Sequence, residues 1–147
     1  MVNVSKRLLK RREVVKSILA TRDNALVISG LGSSTYDVHA AGDNDKNFYM
    51  WGGMGGAAMI GLGLAIAQPE KNIIVFTGDG EMLMGLGSLA TVSVKKPKNL
   101  LIIVLDNEHF GETGMQESHT FHKVDLVGVA LASGCSNAIL KFGHASL

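Results

Sequence analysis

Two largely apolar runs without polar alternation, each ending in polar residues, constrain the fold of this 147-residue chain most strongly. The run 73–77 leads into Gly78-Asp79-Gly80, and the run 101–105 leads into Asp106-Asn107. Apolar strands without alternation are typical of parallel sheets, in which helices cover both faces. A segment with helical spacing separates the two runs. We therefore predict an α/β fold, a doubly wound parallel sheet with helices on both faces.

The rest of the chain continues this alternation of strands and helices. In order, we predict a helix at 5–20, a strand at 25–29, a loop at 30–35 and short helix to 41, a strand at 48–51, a helix at 52–67, a strand at 72–77, a helix at 81–94, a strand at 100–105, a loop at 108–120 and a helix at 124–133. The length suits a single domain spanning residues 1–147. Ligands bind at the carboxyl ends of such strands, and Gly32, Gly52, Asp79 and Asn107 all follow a predicted strand end.

The charge balance gives no reason to expect an acidic partner. The chain has 14 Lys and Arg residues against 13 Asp and Glu residues. Neither nucleic acid nor an anionic membrane surface is therefore favoured. The basic residues between Lys6 and Lys16 are expected to form the solvated face of the first helix. Its apolar face would carry Val4, Leu8, Val15 and Ile18.

Two further features bear on the cellular location. The uncharged stretch 49–69 approaches the ~20 apolar residues of a membrane span. However, it contains six glycines and lies between two predicted strands, so a glycine-rich helix packed on the sheet is the better interpretation. The single cysteine, Cys135, allows no intrachain disulfide and fits a reducing compartment. We expect a cytoplasmic protein that does not enter the membrane.

The polar residues after the two apolar runs suit a metal and phosphate site. A carboxylate from Asp79 and an amide oxygen from Asn107 are ligands of the kind that Mg²⁺ prefers. Gly78 and Gly80 allow a backbone or a ligand to approach closely. Gly-Asp-Gly is also common in turns, and Asp79 could instead cap the following helix. The asparagine at the end of the next strand favours the metal interpretation.

The stretch from Gly78 to Asn107, GDGEMLMGLGSLATVSVKKPKNLLIIVLDN, resembles the diphosphate-binding motif of thiamine-diphosphate-dependent enzymes. Residues 51–55 with the following AAMIGLGLA, and residues 106–116, DNEHFGETGMQ, are also similar to that family. The resemblance extends from about Ala25 to Ile139. It is closest to the diphosphate-binding chains of sulfopyruvate and phosphonopyruvate decarboxylases. It implies a 2-oxoacid decarboxylase, a lyase that uses thiamine diphosphate and Mg²⁺.

The resemblance also implies which residues hold the metal. Mg²⁺ would be bound by Asp79, the side-chain oxygen of Asn107 and the backbone carbonyl of His109. His109, His119 and His122 could instead suggest zinc, but their spacing matches no familiar ligand set, so we interpret them as loop residues.

The implied phosphate contacts come from two loops. Backbone amides of Gly80 and Glu81 would hold phosphate oxygens at the start of a helix. In the first loop, Gly32 and a hydroxyl of Ser33 or Ser34 would do the same. The two serines could equally be helix N-caps.

Gly52 and Met54 are the residues that the resemblance places nearest the reaction. Gly52 would offer its carbonyl to the aminopyrimidine. Met54 would lie beneath the cofactor and force it into the bent conformation that is reactive, a role that suits a flexible apolar side chain. Met54 could also be an ordinary core residue.

Catalysis in this family needs a glutamate that lies on a separate pyrimidine-binding domain. We therefore expect a β-type subunit that acts on a small 2-oxo acid with a pyrimidine-binding α chain, in a hetero- or homo-oligomer. The family pattern has Arg-Glu where this chain has Tyr36-Asp37. Loss of that arginine argues against an anionic phosphonate or sulfonate substrate. Relatives continue beyond Ile139, so we expect a short C-terminus and a sheet edge covered by a partner.

Two alternatives stay open. The first is the β chain of a thiamine-diphosphate-dependent 2-oxoacid oxidoreductase, although the usual cysteine ligands of iron–sulfur clusters are missing from a chain with one cysteine. The second is a non-catalytic module that binds the cofactor or acts as a scaffold.

Overall fold

The computed structural model describes residues 9–141 of the chain. The elements in that range are α1 (Arg11–Ala20), β1 (Leu26–Ser29), α2 (Ser33–Ala40), β2 (Asn47–Tyr49), α3 (Ala57–Ala67), β3 (Ile73–Gly78), α4 (Asp79–Met84), α5 (Ser88–Lys95), β4 (Leu100–Leu105), β5 (His109–Phe110), a 3₁₀ turn (Gly111–Thr113), β6 (Gln116–Glu117) and α6 (Leu126–Ala132).

Strands β1 to β4 form one parallel sheet in the order β2-β1-β3-β4. In its register Ile28 pairs with Phe48 on one side and with Val75 on the other, and Val75 in turn pairs with Ile102. Because all four strands run in the same direction, the loops that follow them lie at one edge of the sheet. The predicted parallel α/β fold is confirmed.

The two faces of β3 explain why its sequence is apolar throughout. Ile74 and Phe76 face α1 and α2, where they pack with Val15 and Val38. The alternate residues, including Val75, face α3 in a second cluster. Phe76 and Val75 are both fully buried. A strand covered on both sides has no solvent-facing position for a polar residue, so polar and apolar residues do not alternate along it.

A third cluster lies beyond α3 and involves α4, α5 and α6. Its buried members are Ala58, Met82 and Leu89, with half-buried residues of α6 packed against them. Helix α6 begins at Leu126, two residues after its predicted start, because Asp125 caps it, with Asp125 Oδ1 accepting a hydrogen bond of 3.0 Å from the Gly128 N–H.

Most predicted bounds shift by a few residues. Helix α2, for example, begins at Ser33, inside the loop predicted at 30–35, and two further helices differ more. The helix predicted at 52–67 begins only at Ala57, and residues 52–56 form a loop. The helix predicted at 81–94 is divided into α4 and α5 around Gly85. The two segments that differ meet in one close contact, since a Cβ on Gly85 would lie 2.2 Å from the carbonyl oxygen of Gly55. Gly55 itself has a φ of +90°, which an L side chain rarely adopts.

The segment predicted as a loop at 108–120 contains a small antiparallel hairpin. His109 pairs with Glu117 and Phe110 with Gln116, so that β5 and β6 join the two ends of this loop. The hairpin brings residues 118–120 back toward the end of β3.

The basic first helix is attached to the rest of the fold by an ion-pair cluster. Val15 is buried and Ile18 packs against the core, which confirms that part of the predicted apolar face. However, Arg11 and Arg12 do not simply face solvent, because both pair with the fully buried carboxylate of Asp37. The Arg12 Nε lies 3.2 Å from Asp37 Oδ1. The predicted cap at Ser5, and the apolar residues Val4 and Leu8, lie outside the described residues.

No helix between residues 9 and 141 combines the length and the apolar character needed to cross a membrane. The uncharged stretch at 49–69 instead supplies the end of β2, the loop 52–56 and the 11-residue helix α3.

Candidate cofactor site

The ends of β3 and β4 bring the three predicted metal ligands together. Asp79, 1% exposed, follows β3, and Asn107 follows β4. One terminal atom of the Asn107 side-chain amide lies 2.9 Å from the His109 carbonyl oxygen and 3.2 Å from Asp79 Oδ1. Three groups from two neighbouring strand ends therefore converge.

The orientation of the Asn107 amide decides what this cluster does. With the amide nitrogen at the shared position, it donates hydrogen bonds to both Asp79 and His109. With the amide oxygen there, three oxygens face one another, an arrangement that a cation between them would stabilise. One carboxylate and two neutral oxygens also match the partial protein coordination typical of Mg²⁺. The residues present fit a magnesium ion.

Asp79 does not cap the helix that it begins. The N-cap of α4 is Gly78, in an extended conformation, and it makes no side-chain cap hydrogen bond. The Asp79 side chain bonds instead to hydroxyl groups from the distant loop. This contradicts the alternative interpretation of Asp79 as a capping residue.

Two residues that the sequence analysis missed hold the Asp79 carboxylate. Ser118 Oγ donates to Asp79 Oδ2, and Thr120 Oγ1 lies 3.2 Å from the same oxygen. Both hydroxyl side chains are buried. They occupy one carboxylate oxygen, while Oδ1 faces the Asn107 amide. Ser118 lies 39 positions from Asp79, and no local pattern links the two.

Asp106 extends this polar cluster toward the surface. Its Oδ1 accepts a hydrogen bond of 2.8 Å from Thr120 Oγ1. Burial raises the pKa of the Asp106 carboxyl above its usual value, and the nearby charge of Asp79 adds to this effect. Hydrogen bonds from Thr120 and from the Glu108 N–H oppose it by stabilising the charged form.

Among residues 9–141, no group of three or more His, Cys, Asp and Glu side chains could hold a metal ion. The histidines make other contacts. His122 Nε2 lies 3.1 Å from Glu117 Oε2, and His109 Nδ1 lies 3.0 Å from the Asn107 carbonyl oxygen. His109 therefore contributes its backbone carbonyl, rather than its imidazole, to the cluster with Asp79 and Asn107.

The first loop lies at the same edge of the sheet, between β1 and α2. Gly32 has a φ of +70° and is the N-cap of α2, so neither Ser33 nor Ser34 has the capping position suggested as their alternative role. Ser34 is buried, whereas Ser33 is half-buried. A Cβ on Gly32 would lie 2.6 Å from Cγ of Glu112, so the loop after β5 packs directly on this turn.

Glu81 reaches the first loop with its side chain. Its Oε2 accepts hydrogen bonds from the Leu31 N–H at 3.1 Å and from Thr77 Oγ1 at 3.0 Å. The family resemblance implies a phosphate contact for its backbone amide and no role for its carboxylate. Gly80 is closely covered by Phe110, whose ring would lie 2.2 Å from a Cβ at that position.

Gly52 and Met54 lie in the exposed loop after β2. Apart from Gly52 and its two chain neighbours, no residue between 9 and 141 has an atom within 4 Å of the position of a Cβ on Gly52. Met54 is half-buried and is not one of the buried core residues, so the core interpretation fails. Trp51 is 76% exposed, and its ring meets the Tyr36 ring edge-on at a centroid distance of 6.4 Å. The roles of Gly52 and Met54 in cofactor binding remain predictions.

A parallel α/β sheet with a polar cluster at its carboxyl edge is typical of a cofactor-binding domain. Comparison with known proteins identifies the family of this domain. Residues 31–143 match the family described as thiamine pyrophosphate enzyme, C-terminal TPP binding domain. The chain belongs to this family, and the resemblance found in the sequence is confirmed.

Individual relatives make the comparison more specific. The chain is 38% identical over 126 residues to the sulfopyruvate decarboxylase subunit beta of Methanocaldococcus jannaschii, covering 85% of this chain and 66% of that protein. It is 45% identical over 111 residues to the phosphonopyruvate decarboxylase of Streptomyces viridochromogenes, covering 76% of this chain and 28% of that protein. The chain thus spans about two thirds of the first relative and under a third of the second.

A solved structure confirms the fold independently of close sequence similarity. The crystal structure of benzoylformate decarboxylase from Polynucleobacter necessarius matches with a TM-score of 0.63 at 17% identity, over 84% of this chain and 26% of that chain.

Proposed function

We propose that this chain is the β-type, diphosphate-binding subunit of a thiamine-diphosphate-dependent 2-oxoacid decarboxylase. The observation that carries the proposal is the convergence of Asp79 Oδ1, the Asn107 side chain and the His109 carbonyl oxygen at the carboxyl edge of the sheet. The similarity to decarboxylases, including one named as a β subunit, supports the same function.

In this proposal two loops hold the charged end of the cofactor. Asp79, Asn107 and the His109 carbonyl would bind Mg²⁺, and the metal would offset the negative charge of the diphosphate. The phosphate oxygens would be held by the backbone amides of Gly80 and Glu81 and, in the first loop, by Gly32 with Ser33 or Ser34.

When bound, thiamine diphosphate supplies a thiazolium carbon that adds to the 2-oxo group and a ring that accepts the electrons released with CO₂. The chain's own residues would orient this chemistry. The Gly52 carbonyl would accept a hydrogen bond from the aminopyrimidine, and the Met54 side chain would hold the bent conformation of the cofactor. Met54 is half-buried, so part of its surface is free to make such a contact.

The active site would be completed by a pyrimidine-binding α chain that carries the catalytic glutamate, in a cytoplasmic oligomer. The exposed aromatic side chains of Trp51 and Tyr36, beside the loop that bears Gly52, are consistent with a surface covered on assembly.

Asp37 lies buried against Arg11 and Arg12, so it offers no charge to a substrate. We propose a small 2-oxo acid substrate, with a neutral tail favoured over a sulfonate or phosphonate.

The decisive experiment compares the chain alone with the assembled enzyme. With thiamine diphosphate, Mg²⁺ and a panel of 2-oxo acids, the purified chain should release no CO₂. CO₂ release should be restored when a pyrimidine-binding subunit is added, either the one from a sulfopyruvate decarboxylase or the one that is this protein's own partner. Decarboxylation by the chain alone would contradict the half-site proposal. Binding of thiamine diphosphate without turnover in every pairing would favour the non-catalytic module.

A further inference from the structure

The carboxylate of Glu81 is an unusual group to find next to a site for an anionic cofactor. Glu81 is 4% exposed and follows Gly80 in the motif that would hold the diphosphate. Its side chain crosses from α4 to the first loop, 50 positions away along the chain, where Oε2 accepts the Leu31 N–H. Oε1 is buried and has no hydrogen-bond partner in the described part of the protein.

The space for this carboxylate is provided by a glycine. A Cβ on Gly30 would lie only 1.7 Å from Glu81 Oε2. The Gly30 N–H donates to the Phe76 carbonyl at 2.7 Å, and the Gly30 carbonyl accepts from Thr35 Oγ1 at 2.7 Å. The first loop is therefore attached to β3 through Gly30 and, one residue later, to α4 through Leu31 and Glu81.

We infer that the Glu81 carboxylate is a positioning group that fixes the first loop relative to the end of β3, so that the backbone amides of both loops reach one diphosphate. We call its hydrogen bonds from Leu31 and Thr77 the Glu81 bridge. This inference rests on the proposed function. A carboxylate repels phosphate, so a direct phosphate contact cannot be its contribution; its Oε2 is already engaged by two donors.

Substitutions of Glu81 can separate the effect of its negative charge from the effect of its hydrogen bonds. An amide of the same shape can keep an oxygen at the Oε2 position and accept from the Leu31 N–H, but it carries no charge. Glu81→Gln should therefore keep the loop in place, whereas Glu81→Ala should release it. Gly30→Ala should also release it, because the new methyl group would displace the carboxylate.

The first test needs no cofactor. Hydrogen exchange of the Leu31 amide, measured on the full chain, should accelerate about tenfold or more in Glu81→Ala and stay within about twofold of wild type in Glu81→Gln. Unchanged Leu31 protection in Glu81→Ala would overturn the bridge itself. Gly63→Ala is the control for Gly30→Ala, because a Cβ at Gly63 has open space around it among residues 9–141.

The second test measures affinity for Mg²⁺-thiamine diphosphate by titration calorimetry, on the full chain and on the assembled enzyme. Glu81→Ala and Gly30→Ala should each weaken binding about tenfold, and the double variant should be no weaker than either. Glu81→Gln should bind within about threefold of wild type. A loss of thermal stability in Glu81→Ala without a loss of affinity would reduce the bridge to a purely structural contact and overturn the inference.

These outcomes distinguish the inference from the proposed function on which it rests. Wild-type protein that binds no thiamine diphosphate in either form overturns both. Wild-type binding that Glu81→Ala leaves intact overturns the positioning role alone. Weakening by Glu81→Gln as severe as by Glu81→Ala would show that the charge, rather than the hydrogen-bond geometry, is what matters, and would also contradict the inference.

Discussion

Two loops at the carboxyl edge of the sheet differ sharply in how the chain supports them. The turn that bears Asp79 is buried, and hydroxyl groups from Ser118 and Thr120 hold its carboxylate. In the loop after β2, Trp51 is 76% exposed, and beyond its adjoining residues Gly52 meets no atom of the described part of the chain within 4 Å of a Cβ position. The chain therefore builds the proposed metal and diphosphate half of the site by itself. The proposed thiazolium and pyrimidine half is open, as expected of a surface that another chain completes.

The largest effect should come from removing the metal ligands. Asp79→Ala deletes the only anionic group of the proposed set, and Asn107→Ala deletes a neutral one. In the assembled enzyme each should weaken thiamine-diphosphate binding by well over tenfold, more than ~1.4 kcal/mol. Calorimetric titration with Mg²⁺ present measures this directly.

Glu70→Ala is the matched control for that experiment. Glu70 is an exposed carboxylate in the turn before β3, at the opposite end of the strand from Asp79. It should leave affinity unchanged. If both site variants bind thiamine diphosphate as tightly as this control, the chain does not form the metal and diphosphate half of the site by itself.

Met54 tests the open half. Met54→Ala should lower turnover by about tenfold in the assembled enzyme, because loss of a near-reactive conformation raises the barrier. Affinity for the cofactor should change much less, since the diphosphate contacts remain. Steady-state kinetics and calorimetry on the same preparation separate the two effects. Met59→Ala, on the exposed side of α3, is the control, and an equal fall in affinity and turnover would contradict the proposed role.

A smaller effect is expected at Thr120. Thr120→Val keeps the shape of the side chain but removes the hydroxyl that lies between the Asp79 and Asp106 carboxylates. Loss of one hydrogen bond should weaken Mg²⁺-dependent cofactor binding about fivefold, ~1 kcal/mol. Thr120→Ser retains the hydroxyl and should restore most of the affinity. Failure of the serine variant to bind better than the valine variant would point to packing rather than hydrogen bonding.

The smallest effect should be that of Trp51→Ser on stability. An exposed side chain with few contacts should change the free energy of unfolding by no more than ~0.5 kcal/mol. The same variant should bind the pyrimidine-binding partner more weakly, as judged by sedimentation. A large loss of stability in the isolated chain would mean that this loop is supported internally, and the contrast between the two loops would disappear.

The parts of the site that could be predicted are those with a local signal. The apolar run of β3 places Asp79, and the run of β4 places Asn107, because both residues lie within two positions of the end of a strand. The roles of Ser118 and of the Glu81 carboxylate carried no such signal. Their partners lie 39 and 50 positions away, and only the folded chain brings them together.

The errors in the helix bounds have a similar origin. The loop at 52–56 is apolar and rich in glycine, so composition alone allowed it to be added to α3. The break between α4 and α5 depends on the approach of the Gly55 backbone to Gly85, which is a tertiary contact. Periodicity within either segment contains no information about that approach.

The buried carboxylate of Asp37 limits how this protein can be shortened or fused. Both of its charged partners, Arg11 and Arg12, lie in the first turn of α1. A version of the chain trimmed to begin after Arg12 would retain Asp37 in the interior without either of these two countercharges, at a cost of about 3–5 kcal/mol. An affinity tag or fusion partner joined at that end therefore needs to leave the start of α1 intact, even though the helix is far along the chain from Asp79 and Asn107.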